Sequence, residues 1–233
     1  MSLTAAIFGM NPILSPSFPT EGVYQRYLAA LLAGDRRQCH ALFESWLGAN
    51  IELCRLYQEV VQRSLYEVGQ LWERGRVSVA TEHLATAITE SLLNLVYPRL
   101  FSQPRVGKSA VVTCALNEYH QVGGKMVADI FELHGWRGHF LGANTPDKDL
   151  IDLIHDKQPN AVAFSLTMFF NQESLLRKAN AVRAQFPAVP ILVGGQAFRW
   201  GGVERVREIE GAHYLASLDD LESWMNLSAT RAN

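Results

Sequence analysis

The feature that most constrains the fold is a change of hydrophobic pattern near the middle of the chain. Residues 20–100 carry apolar side chains at helical spacing, whereas short apolar runs alternate with amphipathic stretches from Ser109 onward. The first pattern predicts packed helices, and the second predicts parallel strands joined by helices. The segment from Phe101 to Lys108 contains a proline and a glycine, which predicts a short linker. We therefore expect two packed domains, over residues 20–103 and 104–233.

Four helices are predicted in the first domain, because helix start and stop signals recur there at short intervals. Short connections between successive helices are typical of an antiparallel four-helix bundle. The helices are predicted to run from Thr20 to Gly34, from Asp35 to Leu47, from Asn50 to Gly75 and from Val79 to Leu100, with the first three starting residues as N-caps and Pro98 bending or breaking the last helix.

The second domain is predicted to contain five strands separated by helical stretches. Five strands with right-handed crossovers make a doubly wound parallel sheet of flavodoxin-like type. The fold class is therefore α/β, with an N-terminal four-helix bundle as a cap in front of the sheet. The apolar runs that predict the strands lie near residues 109–116, 137–142, 160–166, 190–194 and 212–216.

Composition excludes several functional classes. A net charge of -2 over 233 residues gives no electrostatic footprint for nucleic acid, and 48% hydrophobic residues suffice for two cores. Residues 1–19 contain three prolines and lack a basic segment, which predicts a flexible leader and not a signal peptide. No apolar run approaches the ~20 residues that cross a bilayer. We expect a cytoplasmic protein without a membrane partner.

Cysteine usage and common catalytic motifs narrow the function further. Cys39, Cys54 and Cys114 are widely spaced, which predicts buried free thiols in a reducing cytoplasm and neither disulfides nor zinc ligands. Cys114, His120 and His134 lack the CxxC or HExxH spacing of zinc sites. GxGxxG is absent from the first strand-to-helix loop, and neither a P-loop nor GxSxG occurs, which argues against dinucleotide, nucleoside triphosphate and hydrolase sites.

The stretch NEYHQVGG lies where the first apolar strand gives way to an amphipathic helix. His120 is at its centre, on a loop at the carboxyl edge of the predicted sheet, where parallel sheets bind ligands. The third predicted strand ends at Ser165 in AFSLTM, and the fourth ends at Gly194 and Gly195 in ILVGG. Three strand ends therefore offer an imidazole, a hydroxyl and a bare backbone.

This arrangement resembles the cobalamin-binding domain shared by methionine synthase, the corrinoid mutases and the CarH-type light-dependent regulators. The family pattern is an acidic residue, a spacer, His, two spacers and Gly, followed by Ser-x-Leu or Ser-x-Thr and then Gly-Gly. The matching positions in this chain are Glu118, His120, Gly123, Ser165 with Thr167, and the pair Gly194 and Gly195.

The resemblance implies a cobalamin cofactor, with the lower cobalt ligand supplied by His120. In that family the histidine displaces the nucleotide base, and the released tail threads past the serine and the glycine pair. A neutral imidazole suits cobalt, and a carboxylate behind it, here Glu118, fixes its tautomer. Many members have Asp at that position, whereas CarH-type proteins tolerate Glu. Gly194→Leu is expected to block the tail while leaving the fold intact.

A second motif in the helical half has the same relatives. Trp72 is followed ten residues later by Glu82 and His83. In CarH-type proteins, residues with this spacing belong to the helical cap that covers the upper face of the corrin ring. The resemblance implies that Trp72 stacks over the upper axial group and that Glu82 bonds the ribose of an adenosyl ligand. For these residues alone, a core aromatic and a carboxylate at a helix N-terminus remain the alternative.

The chain most resembles the cobalamin-binding half of CarH-type regulators, with two departures. Only about 20 residues precede the first helix, too few for the DNA-binding domain of those repressors, so direct nucleic acid binding is not expected. Glu73 stands where those repressors have a second histidine that captures cobalt after illumination. Either the photoproduct differs, or the upper ligand is not adenosyl.

Three function classes remain open at this point. The favoured one is a cobalamin-binding sensor or regulator, including a photoreceptor, that acts through a partner such as a repressor or a kinase. The second is a corrinoid carrier subunit of a methyltransferase system, and the third is a flavodoxin-like module without corrin. Trp72 and Glu82 favour the first, since methyl carriers keep small or apolar residues there. No set of acid, base and nucleophile is evident, so any catalytic role is that of a carrier, and a homo-oligomer is compatible with the sequence.

Overall fold

The structure is a computed structural model that describes residues 19–230, the last two by their backbone only. The expected flexible leader, residues 1–19, lies outside this range except for its last residue. The helical half consists of α1 (Glu21–Leu32), α2 (Arg36–Gly48), α3 (Leu53–Leu56), a π-helical stretch (Tyr57–Gln62), α4 (Arg63–Glu73), α5 (Val79–Leu93), a 3₁₀ turn (Asn94–Val96) and α6 (Tyr97–Leu100).

The helix starts agree only partly with the predicted caps. The Asp35 carboxylate accepts a hydrogen bond from the backbone N–H of Gln38 at 3.0 Å and caps α2 as expected. Thr20 occupies the N-cap of α1 without a side-chain bond. The assignment of Asn50 as an N-cap is wrong, because its φ of 54° places it in a turn and the helix begins at Leu53. The fourth helix breaks before Pro98, which lies in the first turn of α6.

The second half is a five-stranded parallel sheet with the strand order β2-β1-β3-β4-β5. This order confirms the predicted flavodoxin-like topology. The strands are β1 (Ser109–Cys114), β2 (Arg137–Phe140), β3 (Ala161–Ser165), β4 (Ile191–Gly194) and β5 (Ala212–Leu215). The helices are α7 (Val122–Leu133), α8 (Asp147–Lys157), α9 (Gln172–Gln185), α10 (Val203–Arg207) and α11 (Leu218–Thr230), with 3₁₀ turns at Phe169–Asn171 and Gln196–Trp200.

Alternate side chains of the sheet enter two different cores. Val162 and its neighbours on one face pack with apolar residues of α8 and α9. Ala163 and the residues on the other face join one continuous core that runs through α7 and α11 into the helical half. At this junction the Tyr57 hydroxyl donates to the buried Asp129 carboxylate at 2.7 Å. The two halves are therefore closely packed. Within residues 19–230, no helix has the length and apolarity needed to span a membrane.

Candidate functional site

The strand register brings the predicted loop residues to one edge of the sheet. Cys114, the last residue of β1, is level with Ser165 on β3, and Ser165 is level with Gly194 on β4. Because all three strands are parallel, the loops that follow them leave the sheet side by side. His120, Thr167 and the glycine pair are thus neighbours in space.

His120 and Glu118 form a tightly bonded pair on the first of these loops. The imidazole Nδ1 lies 2.6 Å from Glu118 Oε1, and the same oxygen accepts from the His120 backbone N–H at 3.1 Å. The other oxygen accepts from the backbone N–H groups of Thr167 at 3.1 Å and Met168 at 2.8 Å. The carboxylate is fully buried, whereas 47% of the His120 side chain is exposed. Glu118 therefore ties the β1 loop to the β3 loop and holds the imidazole toward open space.

This pair has a defined protonation pattern. Burial raises the pKa of the Glu118 carboxyl, but its hydrogen bonds with His120 and with the backbone N–H of Met168 outweigh burial, so the pKa lies below its usual value. The hydrogen bond to Glu118 raises the pKa of His120. An ionised carboxylate can only accept, so Nδ1 carries the proton in the neutral ring and Nε2 carries the lone pair. Nε2 is the nitrogen suited to a metal.

A cavity of about 1250 Å³ opens between the helical half and this edge of the sheet. Drug-sized ligands occupy pockets of about 300–1,000 Å³, so the cavity suits a larger molecule. Its deep end runs along the sheet, where Val112, Ala163 and Leu192 lie level on three adjacent strands. Nine of the ten predicted site residues line it: Trp72, Glu82, His83, His120, Gly123, Ser165, Thr167, Gly194 and Gly195. The tenth, Glu118, lies behind His120.

At the carboxyl edge of the sheet, neighbouring backbone atoms leave no room for a side chain at Gly194 or Gly195. A Cβ on Gly194 would lie 2.7 Å from the Leu215 carbonyl oxygen, and one on Gly195, whose φ is 120°, would lie 2.2 Å from the Leu166 carbonyl oxygen. The expectation that Gly194→Leu leaves the fold intact is therefore wrong, because the side chain would collide with β5. A Cβ on Gly123 would lie 3.1 Å from Ser165 Oγ, a tight contact.

The motif of the helical half forms the opposite wall of the cavity. Trp72 lies in the last turn of α4 and is 43% exposed, while Glu82 and His83 lie in the first turns of α5. Glu82 Oε1 accepts from the Thr86 hydroxyl at 3.0 Å, and its other oxygen is 3.5 Å from His83 Nε2. The charge of Glu82 contributes to the raised pKa of His120 across the cavity. The two motifs therefore face the same space.

The sequence motifs do not include several residues that complete the site. The Arg199 guanidinium lies 5.1 Å from the centre of the Tyr66 ring, and both residues line the cavity from opposite halves. Gln121, beside His120, donates to Glu90 of α5 at 2.9 Å. Backbone N–H groups such as that of Met168 carry no signal in the sequence. The aromatic and basic residues of AFRW, directly after the glycine pair, are the signal that could have indicated Arg199.

The geometry of these residues fits a corrinoid cofactor. The imidazole is exposed to a large cavity with its distal nitrogen available, and a buried carboxylate fixes its tautomer. The channel lined by Ala163 is apolar, and its residues Val112, Ala163 and Leu192 are buried. The helical half and the sheet thus enclose a cavity of the kind that holds a large cofactor.

Comparison with known proteins identifies the family. A pattern described as the B12 binding domain matches residues 108–214, and a second with the same description matches residues 23–97. The chain therefore belongs to the cobalamin-binding domain proteins, and its cofactor is cobalamin. Together the matches cover the sheet and most of the helical half, the regions that form the two walls of the cavity.

Relatives and solved structures agree with this assignment. The chain is 34% identical over 155 residues to the HTH-type transcriptional repressor CarA of Myxococcus xanthus, covering 65% of this chain and 51% of the repressor. It is 29% identical over 174 residues to the repressor CarH of the same organism, covering 74% and 57%. The chain thus spans about half the length of these relatives. The monomethylamine corrinoid protein of Methanosarcina barkeri has the same fold, with a TM-score of 0.74 over 89% of this chain and 99% of that chain at 13% identity.

Proposed function

We propose that this protein is a cobalamin-dependent regulator or sensor that holds the corrinoid base-off with His120 as the lower cobalt ligand and signals through contacts with another protein. The observation that carries the binding mode is the His120–Glu118 pair. Nδ1 is engaged at 2.6 Å by a buried carboxylate, and the ring is exposed to the cavity. A lone surface histidine would have no such support, whereas metal-ligating histidines commonly have it.

Each other site residue has a role in this proposal. Cobalamin supplies a cobalt centre whose upper ligand can be exchanged. The chain binds the nucleotide tail between Ser165 and the glycine pair, along the channel that Ala163 lines. Trp72 and Glu82 surround the upper ligand from the helical half, with an indole for stacking and a carboxylate that accepts hydrogen bonds.

The regulatory role rests on which half of the protein contributes each wall. The floor with His120 belongs to the sheet, whereas Trp72 and Glu82 belong to the helical half. A change of the upper ligand would therefore change the contacts of one half only, and a ligand that interacts differently with two arrangements shifts the equilibrium between them. Direct links across the junction include those from Gln121 to Glu90, from Arg199 to Tyr66 and from Tyr57 to Asp129. The curated relatives, which are repressors, support a regulatory output.

A second candidate function is a corrinoid methyl carrier that delivers its cofactor to a partner enzyme. The observation that favours it is the exposure of the upper wall. Trp72 is 43% exposed and the His83 side chain 74% exposed, so a partner could reach this side of the cavity. A carrier needs such access, and a sensor that shields its upper ligand does not.

Illumination distinguishes the two candidates. The protein is loaded in the dark with adenosylcobalamin or methylcobalamin, and absorption spectra and size-exclusion profiles are recorded before and after green light. A sensor should change its size, shape or partner binding when the adenosyl form is illuminated, and Trp72→Ala should weaken that change. If the adenosyl form photolyses with none of these changes, while the reduced protein accepts and donates methyl groups, the carrier proposal replaces the sensor proposal.

A further inference from the structure

A second cluster of metal-ligating side chains lies outside the cobalamin site, where α3 meets α11. Cys54 comes from α3 in the helical half, and Asp219 and Glu222 come from α11, on the face of the sheet that packs against the helical half. One donor atom from each residue, the Cys54 Sγ and a carboxylate oxygen of the other two, lies within 4.8 Å of the others. Residues three apart on a helix share one face, so both carboxylates point toward α3.

The distance between the donors of Cys54 and Asp219 agrees with tetrahedral coordination. Cys54 Sγ lies 3.4 Å from Asp219 Oδ1. Ligands at about 2.3 Å for sulfur and about 2.0–2.2 Å for oxygen, at the tetrahedral angle, stand about 3.5 Å apart around zinc. Little movement is therefore needed for the thiolate and the Asp219 carboxylate to share one ion. Asp219 is exposed, which leaves a path from solvent and room for a water ligand.

The surroundings orient the donors as they do in metal sites. His134 Nε2 lies 2.8 Å from Glu222 Oε1, and the Gln58 amide donates to Asp219 Oδ1 at 3.2 Å. Bonds from outside the ligand set fix the direction of ligating groups. The Gln58 carbonyl oxygen also accepts from the backbone N–H of Leu218 at 3.2 Å, which anchors the first turn of α11 on the π-helical stretch that directly follows α3. Both elements that would supply ligands are thus held in register.

We propose that Cys54, Asp219 and Glu222 bind a zinc-like divalent transition-metal ion that ties the helical half to α11. The donor set of one thiolate and two carboxylates suits zinc better than calcium or magnesium, which take oxygen ligands alone. Burial and the nearby carboxylates raise the pKa of the Cys54 thiol in the metal-free protein. The ion replaces the thiol proton, and that proton leaves to solvent, so affinity should increase with pH. The three ligands do not line the cobalamin cavity, although the neighbouring Gln58 and Leu218 do. On the proposed function, the tie restrains the same junction that the upper ligand would bias.

Zinc titration of the full chain, freed of metal beforehand, tests this proposal. Competition with a chromogenic chelator gives the affinity, and Co²⁺ as a substitute reports thiolate ligation through its charge-transfer band. We expect one ion for each chain and a loss of about 100-fold or more in affinity for Cys54→Ser. Cys39→Ser, which removes another fully buried thiol of the helical half, is the matched control and should bind zinc as the parent does.

Two further variants keep the outcome decisive. Asp219 is exposed and Glu222 is half-buried, so Asp219→Asn and Glu222→Gln should fold and should each lower the affinity at least about tenfold, even if Cys54→Ser folds poorly. His120→Ala should retain zinc, since its loss there would place the ion in the cobalamin cavity. The proposal is overturned if the parent does not compete with the chelator, or if folded Cys54→Ser, Asp219→Asn and Glu222→Gln all bind zinc unchanged. The contact would then be an S–H···O hydrogen bond only.

Discussion

Glu118→Gln is expected to keep the fold but to impair cobalt ligation, because it reverses the hydrogen bond that sets the His120 tautomer. Glu118 accepts four hydrogen bonds: two from His120, one from the N–H of Thr167 and one from the N–H of Met168. With its oxygen toward Thr167 and Met168, glutamine keeps those two backbone bonds, directs its NH₂ group at Nδ1 as a donor and loses the bond from the His120 backbone N–H. The opposite orientation would keep only the two bonds from His120 and leave two backbone donors against an NH₂ group.

The favoured orientation places the ring proton on Nε2, the nitrogen that would bind cobalt. To bind cobalt, the ring must then move its proton from Nε2 to Nδ1, where that proton would face the glutamine NH₂ group, which is also a donor. Loss of such a supporting group costs about 10–100-fold in metal affinity. Glu118→Ala is a poorer test, since it strands the N–H groups of Thr167 and Met168, each at about 1–3 kcal/mol, and loosens the loop itself.

The pH dependence of the affinity for cobalt gives a second readout of the same variant. In the cobalamin-free parent the Glu118 bond raises the pKa of His120 above its ordinary 6.5, so protonation should lower the affinity of Nε2 for cobalt to half its maximum at a pH above 6.5. Without the carboxylate this midpoint should move down. Glu118→Gln is therefore expected to bind cobalt more weakly at pH 8 and yet to keep half of its own maximal affinity down to a lower pH than the parent does.

Titration of each protein with aquocobalamin from pH 5 to 9, followed by absorption, measures both effects, and circular dichroism checks the fold. If the variant shows the parent's nitrogen-ligated spectrum, affinity and midpoint, then Glu118 does not control the ligand. Without cobalamin the same pair affects stability. The His120 contribution is present below its unfolded pKa and is lost as the pH rises through the raised folded value. The Glu118 contribution is present above its unfolded pKa and is lost as the pH falls through the lowered folded value.

Three further predictions concern the channel, the upper wall and the junction. Ala163→Leu should fill the channel and lower cobalamin affinity more than about tenfold. Val162→Leu, on the other face of the sheet, is the control: it should lower the free energy of unfolding by about 1–3 kcal/mol through overpacking without affecting binding. Equal cobalamin affinities of the two variants would place the tail elsewhere. Glu82→Ala should lower the preference for adenosyl- over methylcobalamin about tenfold in competitive binding, since a hydrogen bond to a charged acceptor contributes about 1.5–3 kcal/mol. An unchanged ratio of the two affinities would show that Glu82 does not contact the upper ligand. Tyr57→Phe should lower the free energy of unfolding, measured with urea, by about 1–3 kcal/mol, because it leaves the buried Asp129 carboxylate with Lys125 alone among its described partners. A change below about 0.5 kcal/mol, the range of a neutral surface substitution, would contradict this.

The sequence predicts the sheet well, because its three central strands, β1, β3 and β4, are short apolar runs bounded by loops. It also predicts that His120, Ser165 and Gly194 meet, since the carboxyl ends of parallel strands share one edge. The helix caps are less reliable: Asn50 has the residue type of an N-cap but adopts a left-handed turn. Side-chain type alone does not determine φ.

Contacts between residues far apart in the chain explain what the sequence could not show. The backbone donors to Glu118 come from residues 49 and 50 positions away and have no side-chain signature. Spacing also argues against a zinc site, but that argument compares residues close in the chain. Cys54 and Asp219 are 165 residues apart and meet only because α11 packs against α3. Gly194 illustrates the same limit, since its requirement comes from the approach of β5 and not from a ligand alone.

Electron paramagnetic resonance of the reduced, Co(II) form tests the central claim most directly. The protein is prepared with natural-abundance nitrogen and again with uniform ¹⁵N labelling, and each preparation is loaded with unlabelled cobalamin. If His120 is the lower ligand, the nitrogen splitting of the cobalt signal should change from a triplet to a doublet on labelling, and His120→Ala should lose it. A triplet that persists in the labelled protein would show that the cofactor's own base still binds cobalt, which would contradict the account.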